Sequence, residues 1–472
     1  MGRKKKSDLP LIEKVEITGV AAEGKALARV DDKVLFVPFA APGDILDVQV
    51  KKSKRNFMEG VIWRVHKPSD NRSKPFCIHF GLCGGCKWQH MPYEKQLEFK
   101  QQQVLDSLSR IGKVPMDQVE VLPIAASERT RFYRNKLEFT FSNRRWLSRE
   151  EIEENDKISS MDALGFHIPG YFDKVLDIEK CWLQDEPSNA IRLAVKAYAV
   201  KEGMSFFDLR TNTGLLRNLI VRNTPSGELM AVMVFGQDDE AAIKKVMAFI
   251  ELAFPGLSTL AWMVNTKLNS SIADLKPEIW CGKAFLEENM EGLRFQVGPK
   301  SFYQTNSYQA FKLYSIARSF AGLTGREVVY DLYTGAGTIA CFLAREADKV
   351  IGIEYVDEAV THARTNAQRN DISNATYFAG DMAEVFNSEL MDKHGYPHVI
   401  ITDPPRAGMH PKVIKQIIQS GADRIVYVSC NPATQARDIE LLADRYVVKK
   451  TQAVDMFPHT HHVENVALLE RL

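Results

Sequence analysis

The sequence predicts an α/β protein with a C-terminal doubly wound parallel sheet, a small N-terminal β-barrel and a central α+β segment between them. Three observations lead there. The chain, at 472 residues, is too long for one hydrophobic core. Short β-type runs broken by turn residues crowd residues 9–67. From Gly325 onward, apolar strand-like runs alternate with helical segments, the pattern of parallel strands joined by crossover helices.

In chain order, Val15 to Thr18, Ala26 to Val30, Lys33 to Val37, Ile45 to Lys51 and Gly60 to Val65 read as strands, punctuated by Gly19, Gly24, Asp31-Asp32 and Pro42-Gly43. Spacing of this kind suggests a small barrel. Asp70 to Ser73 with Pro75 reads as a linker, and Tyr93 to Gly112 has helical periodicity. Strand and helix signals mix from Arg131 to about Gly298. Then come the strand Val328 to Leu332, a helix start over Gly335 to Ala344, the strand Val350 to Ile353 and the helix Val360 to Asn370. The strand Val399 to Thr402, the helix Lys412 to Ser420 and the strand Ile425 to Ser429 complete the series. The expected domains are residues 1–68, 69–300 and 301–472.

Composition excludes several classes. Apolar residues make up 45% and charged residues 26%, ordinary for a globular protein. No apolar run approaches the roughly 18 residues needed to span a bilayer, so no membrane partner is expected. The N-terminus has no apolar stretch behind Arg3 to Lys6, and Lys6 breaks the myristoylation pattern, which leaves the cytoplasm as the default location. Net charge is +1, so only local basic clusters point to nucleic acid: Arg3 to Lys6, Lys51 to Arg55 and Arg129 to Lys136. The last interleaves cations with Phe132 and Tyr133, a composition suited to phosphate contact and base stacking. An amphipathic strand with Phe132 in the core would read the same way. Seven cysteines, an odd number, argue against a disulfide framework. Nothing in the sequence calls for a dimer, so a monomer is expected.

Ligands in doubly wound sheets bind at the carboxyl ends of the strands, and four such ends carry suggestive residues here. The first is Asp331-Leu-Tyr333-Thr-Gly335-Ala-Gly337, a Gly-rich turn into a helix. The second is Glu354, about 20 residues beyond Gly335, the interval of a ribose-gripping carboxylate. A nicotinamide or flavin dinucleotide fits Gly335, Gly337 and Ala340 as well. Acidic Asp331 favours S-adenosylmethionine, which brings a sulfonium and an ammonium cation where a dinucleotide brings phosphate.

The third end is Asp403-Pro-Pro-Arg406. Enzymes that methylate exocyclic amines usually place an aromatic residue where Arg406 stands, which disfavours that reaction. The fourth is Ser429-Cys430-Asn-Pro432. A thiol matters for one methylation: carbon 5 of uracil is a poor nucleophile until a thiolate adds to carbon 6 and makes an enolate. A general base must then remove the carbon 5 proton, and Glu464 in Asp455-Met-Phe-Pro-His-Thr-His-His-Val-Glu464 is the candidate. His459, His461 and His462 match no zinc spacing. Cys341 and Cys281 read as core packing.

Cys77, Cys83, Cys86 and the distant Cys181 form a further set, able to hold zinc or an iron–sulfur cluster. Spacing does not choose between them, and zinc is the first choice on physical grounds.

Taken together, the Cys430 segment through Asp438, the segment Asp455 to Glu464, Ser301-Phe-Tyr-Gln304-Thr-Asn306 and the Asp403 turn resemble the TRAM-domain family of RNA uracil-5-methyltransferases. The resemblance spans nearly the whole chain. It implies Cys430 as nucleophile, Glu464 as base, cofactor contacts from Gln304, Tyr333, Glu354, Asp403 and Asp381, an RNA-binding N-terminal TRAM barrel, and a Rossmann-like methyltransferase domain. Some relatives carry a small residue or Asn where this chain has Thr338. The ribosomal RNA branch carries a four-iron cluster on a matching cysteine trio with one distant cysteine, and Glu179-Lys180-Cys181 fits that place. This shifts the choice to a [4Fe-4S] cluster on Cys77, Cys83, Cys86 and Cys181, and to 23S ribosomal RNA as substrate. Transfer RNA, an oxidoreductase and an inactive ribosome-assembly factor are the alternatives.

Overall fold

The computed structural model describes residues 9–154 and 160–472. The basic cluster Arg3 to Lys6 lies outside them. Residues 11–67 form a six-stranded, predominantly antiparallel sheet in the order Leu11–Glu16, Ile45–Ser53, Phe57–Lys67, Lys33–Val37, Ala26–Val30, Gly19–Val20. Alternate residues Val15, Ala28, Leu35, Val37, Leu46 and Val48 point inward and are buried, as period-two patterning demands.

The segment read as a linker is fixed in place. Arg72 donates from Nε and Nη2 to the two oxygens of buried Asp44, both at 2.8 Å, and the Ser69 amide donates to Asp44 Oδ1 at 2.9 Å. These charge-assisted bonds hold the Asp44 carboxyl below its usual range despite burial. The helix Tyr93–Arg110 follows.

The central region carries a seven-stranded mixed sheet in the order Val175–Asp177, Ala163–His167, Lys136–Ser142, Leu216–Asn223, Leu229–Phe235, Thr259–Val264, Glu278–Gly282. The helices Ser188–Lys201 and Glu240–Ala253 pack on it through Ile191, Val195, Ile243 and Ile250.

The largest sheet has eight strands in the order Ala375–Ala379, Lys349–Glu354, Val328–Leu332, Val399–Thr402, Arg424–Ser429, Glu464–Arg471, Tyr446–Val454, Glu120–Ala125. The first five are mutually parallel, and Glu464–Arg471 is inserted antiparallel to both neighbours. Val328–Leu332 and Val399–Thr402 are almost wholly buried, so their sequences are continuous apolar runs. The outermost strand, Glu120–Ala125, comes from the expected central segment and pairs in parallel with Tyr446–Val454. Helices cover both faces, and two clusters of buried side chains fill the two interlayer spaces. Cys341 lies fully buried in the first of these, while Cys281 sits half-buried on the edge strand Glu278–Gly282. Among the described residues no helix is long and apolar enough to cross a membrane.

Candidate active site and cysteine pocket

The chain order of the central strands changes direction between Val328–Leu332 and Val399–Thr402, and loops from both sides converge at this switch point. Leu332 is in register with Ile353 on one side and Thr402 on the other, so the loops beginning at Tyr333, Glu354 and Asp403 leave the sheet at one level. Tyr333 has φ of 67° and Gly335 of 56°, both left-handed. A non-glycine residue there is strained, a feature that clusters at functional sites. A Cβ on Gly335 would meet nothing within 4 Å, so the space above this turn is open. One on Gly337 would lie 2.9 Å from Ala363, so that glycine serves close packing of the next helix.

Glu354 is held by two amides: Gly335 N donates to Oε2 and Val356 N to Oε1, each at 3.0 Å. Asp381 caps the short helix Met382–Val385 by accepting from Ala383 N at 2.8 Å, and burial, then the Asp438, Asp381 and Glu354 carboxyls, push the Tyr333 hydroxyl up to about 12. Asp331 is completely buried, and burial pushes its carboxyl up to about 7. Thr334 Oγ1 donates to its Oδ2 at 2.5 Å, while Oδ1 has no hydrogen-bond partner.

Cys430 and Glu464 meet through strand register. Ser429 pairs with Asn465 across the antiparallel strands, so Cys430, one residue past Ser429, faces Glu464, one residue before Asn465. Asn431 caps the following helix, accepting from Ala433 N at 3.2 Å, and its Nδ2 donates to the Arg406 carbonyl at 3.0 Å. That bond ties the Cys430 loop to the Asp403-Pro-Pro-Arg406 loop. Burial, then the Glu464 and Asp403 carboxyls, push the Cys430 thiol up to about 11, against a hydrogen bond from Arg406. Glu464 is raised to about 8 by burial and Asp403, and Asp403 itself to about 7 by burial. Two carboxyls with raised pKa beside the thiol, with buried Asp331 next to Asp403, disfavour further negative charge and would be stabilised by a cation.

The loop 301–306 reaches the same carboxyls through Tyr314. Gln304 hydrogen-bonds Tyr314, whose hydroxyl is raised by burial, by Asp403 and by the Asp331 and Glu464 carboxyls. Asn306 caps the helix Ser307–Ala321, and its Nδ2 donates to the Met456 carbonyl at 2.9 Å. Strand register thus sets the glycine turn, Tyr333, Glu354 and Asp403 at one end of the sheet and Cys430 opposite Glu464 beside Asp403, while Gln304 joins them through Tyr314 and Asp381 through Tyr333.

Two supports carry no sequence signal. Lys100 donates to Asp455 Oδ1 at 2.6 Å, with both side chains fully buried, and Tyr93 Oη donates to Oδ2 at 2.8 Å. Gln96 Oε1 accepts from His459 N at 2.9 Å. The helix Tyr93–Arg110 thus clamps the loop that ends in Glu464. Lys100→Ala is expected to cost about 3–5 kcal/mol by stranding a buried carboxylate, read as a lower urea midpoint. His459, His461 and His462 are pushed by burial to about 4, 4 and 3, so they are uncharged at neutral pH.

Cys77, Cys83, Cys86 and Cys181 line one cavity of about 260 Å³. Gly85 N donates to Cys83 Sγ at 3.4 Å, and amides of Phe80 and Leu183 hydrogen-bond Cys77 and Cys181. Burial and mutual repulsion raise the thiols, Cys86 to about 12 and Cys181 to about 11. Among the described residues no three His, Cys, Asp or Glu side chains close on one point as a single metal ion requires.

An α/β sheet with this strand order, ending in the antiparallel strand Glu464–Arg471 inserted beside Arg424–Ser429, has the Rossmann-like architecture of the methyltransferase class. The tRNA (Uracil-5-)-methyltransferase family profile matches residues 279–472, and the TRAM domain profile matches residues 12–62. An uncharacterized RNA methyltransferase of Bacteroides thetaiotaomicron is 56% identical over 96% of this chain and 100% of its own length. Another, of Porphyromonas gingivalis, is 56% identical over 97% of this chain and 99% of its own. Among solved structures, the Pyrococcus abyssi tRNA (uracil-54, C5)-methyltransferase in complex with S-adenosyl-L-homocysteine superposes with a TM-score of 0.73 at 26% identity, covering 97% of this chain and 100% of that one. The chain belongs to the TRAM-domain RNA (uracil-5-)-methyltransferase family.

Proposed function

We propose that the protein methylates carbon 5 of a uridine in 23S ribosomal RNA, with Cys430 as nucleophile and Glu464 as general base. The observation that carries the reading is the opposition of Cys430 and Glu464 across one antiparallel register with Asp403 acting on both, beside the cofactor cleft we place at Asp331 and Asp403. S-adenosylmethionine fits that cleft by charge and, when bound, supplies a methyl group on a sulfonium centre. Asp331, with its orphaned Oδ1, and Asp403 stabilise the cation. Glu354, Gln304, Tyr333 and Asp381 would hold the rest of the cofactor, with room above the backbone at Gly335. The target uridine is turned out of its stack to reach the thiol.

The Cys430 thiol gives its proton to solvent, the thiolate adds to carbon 6 of the uracil, and the resulting enolate takes the methyl at carbon 5 as the methyl–sulfur bond breaks and leaves a neutral thioether. Glu464 then removes the carbon 5 proton, carbon 5–carbon 6 unsaturation returns, and the Cys430 sulfur leaves. Arg406, bonded to Cys430, favours the thiolate against the surrounding carboxyls.

For the cysteine pocket we favour an iron–sulfur cluster over zinc. Four thiols line one cavity of about 260 Å³ and a backbone amide donates to Cys83 Sγ, surroundings that suit thiolate ligation of either group, and the resemblance of the cysteine spacing to the ribosomal RNA branch is what favours the cluster. Methyl transfer to an enolate is a two-electron step and needs no redox centre, so the cluster's role is architectural. Protein purified without air is expected to contain about four irons per chain and no stoichiometric zinc; one zinc and no iron would reverse this assignment.

A transfer RNA substrate is the second reading, favoured by the TM-score of 0.73 to an enzyme named for transfer RNA. The deciding experiment incubates the protein with S-adenosylmethionine and unmodified ribosomal or transfer RNA, then identifies nucleosides by mass spectrometry. 5-Methyluridine in ribosomal RNA alone is expected. Its appearance only in transfer RNA would move the substrate, and a different methylated base would overturn the chemistry.

A further inference from the structure

Three of the four clustered cysteines border a cation or an aromatic residue: Phe76 precedes Cys77, Lys87 follows Cys86, and Lys180 and Trp182, which also line the cysteine cavity, flank Cys181. Several of these assemble with Arg131 and Phe132. Arg131 Cζ lies 4.0 Å from the Phe76 ring centroid and 5.5 Å from that of Trp182, and Lys180 Nζ lies 4.1 Å from Trp182. The Phe132 and Trp182 centroids are 5.7 Å apart, and Phe76 is 5.0 Å from His459 of the Glu464 loop. Phe132 N donates to the Trp182 carbonyl at 2.8 Å, joining the two segments. Phe132 also holds a left-handed φ of 54°, strain that the fold tolerates at this point.

Arg131 and Lys180 are exposed and, among the described residues, have no acidic partner. Their guanidinium and ammonium groups rest on aromatic faces, which fixes them without neutralising them. A structural ion pair would have cancelled this charge. The arc runs from the rim of the cysteine pocket to the loop carrying Glu464.

We infer that the arc of Arg131, Lys180, Phe132 and Trp182 is a docking site for single-stranded RNA beside the target uridine, with phosphates on the two cations and one base against the half-exposed Phe132–Trp182 pair. The inference rests on the reading of the chain as an RNA enzyme. The cysteine pocket then serves to fix Lys180, Trp182 and Phe76 along the path to Cys430.

The test uses the full chain and a fluorescein-labelled, unmodified, uridine-rich single-stranded RNA, titrated at several salt concentrations. Arg131→Ala with Lys180→Ala is expected to weaken binding about tenfold or more and to lower the log–log salt slope by about 0.7 per lost phosphate contact. Trp182→Ala is expected to weaken binding about tenfold, and Trp182→Phe to restore most of it, with little change in salt slope. Lys201→Ala, on an exposed lysine outside the arc, is the control. S-adenosylmethionine binding is expected to stay at the wild-type level, and iron content is measured in parallel so that the comparison is made between variants with equal cluster occupancy. Unchanged affinity and slope in the double variant, with folding intact, would overturn the inference. A wild-type protein that binds RNA through the arc yet methylates no uridine would uphold it while overturning the proposed function.

Discussion

Cys430→Ala is expected to abolish methyl transfer, lowering turnover by about ten-thousand-fold or more, while RNA and S-adenosylmethionine binding persist within a few-fold. The size of the effect follows from the chemistry. Without addition at carbon 6, carbon 5 carries no enolate density, and positioning alone cannot supply it. Binding is expected to survive because the alanine removes only a half-buried sulfur at the tip of a loop whose geometry is set elsewhere. Asn431 and Thr434 both donate to the Arg406 carbonyl, and Gln435 Nε2 donates to the Tyr427 carbonyl at 2.8 Å. Single-turnover methylation assays alongside equilibrium binding separate the two effects. Near-normal turnover in this variant would remove the covalent mechanism.

Glu464→Gln is expected to stop the reaction one step later. The amide keeps the shape of the side chain but cannot accept the carbon 5 proton, so the methylated adduct should accumulate. Protein–RNA complexes resistant to denaturing gels are the readout. The wild-type pH profile follows from the same residue. Glu464 acts only as a carboxylate, and burial beside Asp403 raises its pKa to about 8, so kcat/KM is expected to rise with pH through that region. A bound sulfonium cation favours the ionised carboxyls, so the rise in kcat should fall at lower pH than the rise in kcat/KM. A kcat/KM that falls between pH 6 and 8 would contradict Glu464 as base.

Much of the methyltransferase sheet was legible because buried parallel strands are continuous apolar runs. Val328–Leu332 and Val399–Thr402 have the boundaries their sequences suggest. The strand Ala375–Ala379 left no such trace, because it is an edge strand with only Tyr377 buried. Glu120–Ala125 could not be assigned to this sheet from its own residues, since its pairing partner lies more than three hundred residues away. Likewise, the composition of Asp70 to Ser73 is that of a linker, and only the distant Asp44 reveals that Arg72 anchors it.

The candidate site divides along the same line. Cys430 and Glu464 were legible through short segments that resemble a family, but their opposition depends on the Ser429–Asn465 register. Arg406 was noticed for what it replaces, and its contact with the Cys430 thiol emerged only in three dimensions. Lys100 and Gln96 look like ordinary helix-surface residues, yet both are fully buried beneath the Glu464 loop. The four cysteines come together only because the strand and turn leading to Cys181 pack over the loop that holds the other three.

The most direct test of the central claim is a peptide map of the species formed when the Glu464→Gln protein meets S-adenosylmethionine and substrate RNA. After nuclease and protease digestion, mass spectrometry should find one peptide spanning Cys430 with a nucleotide attached through sulfur, heavier than unmodified uridine monophosphate by one methyl group. A nucleotide on any other residue, or full methylation with no adduct at Cys430, would contradict the mechanism.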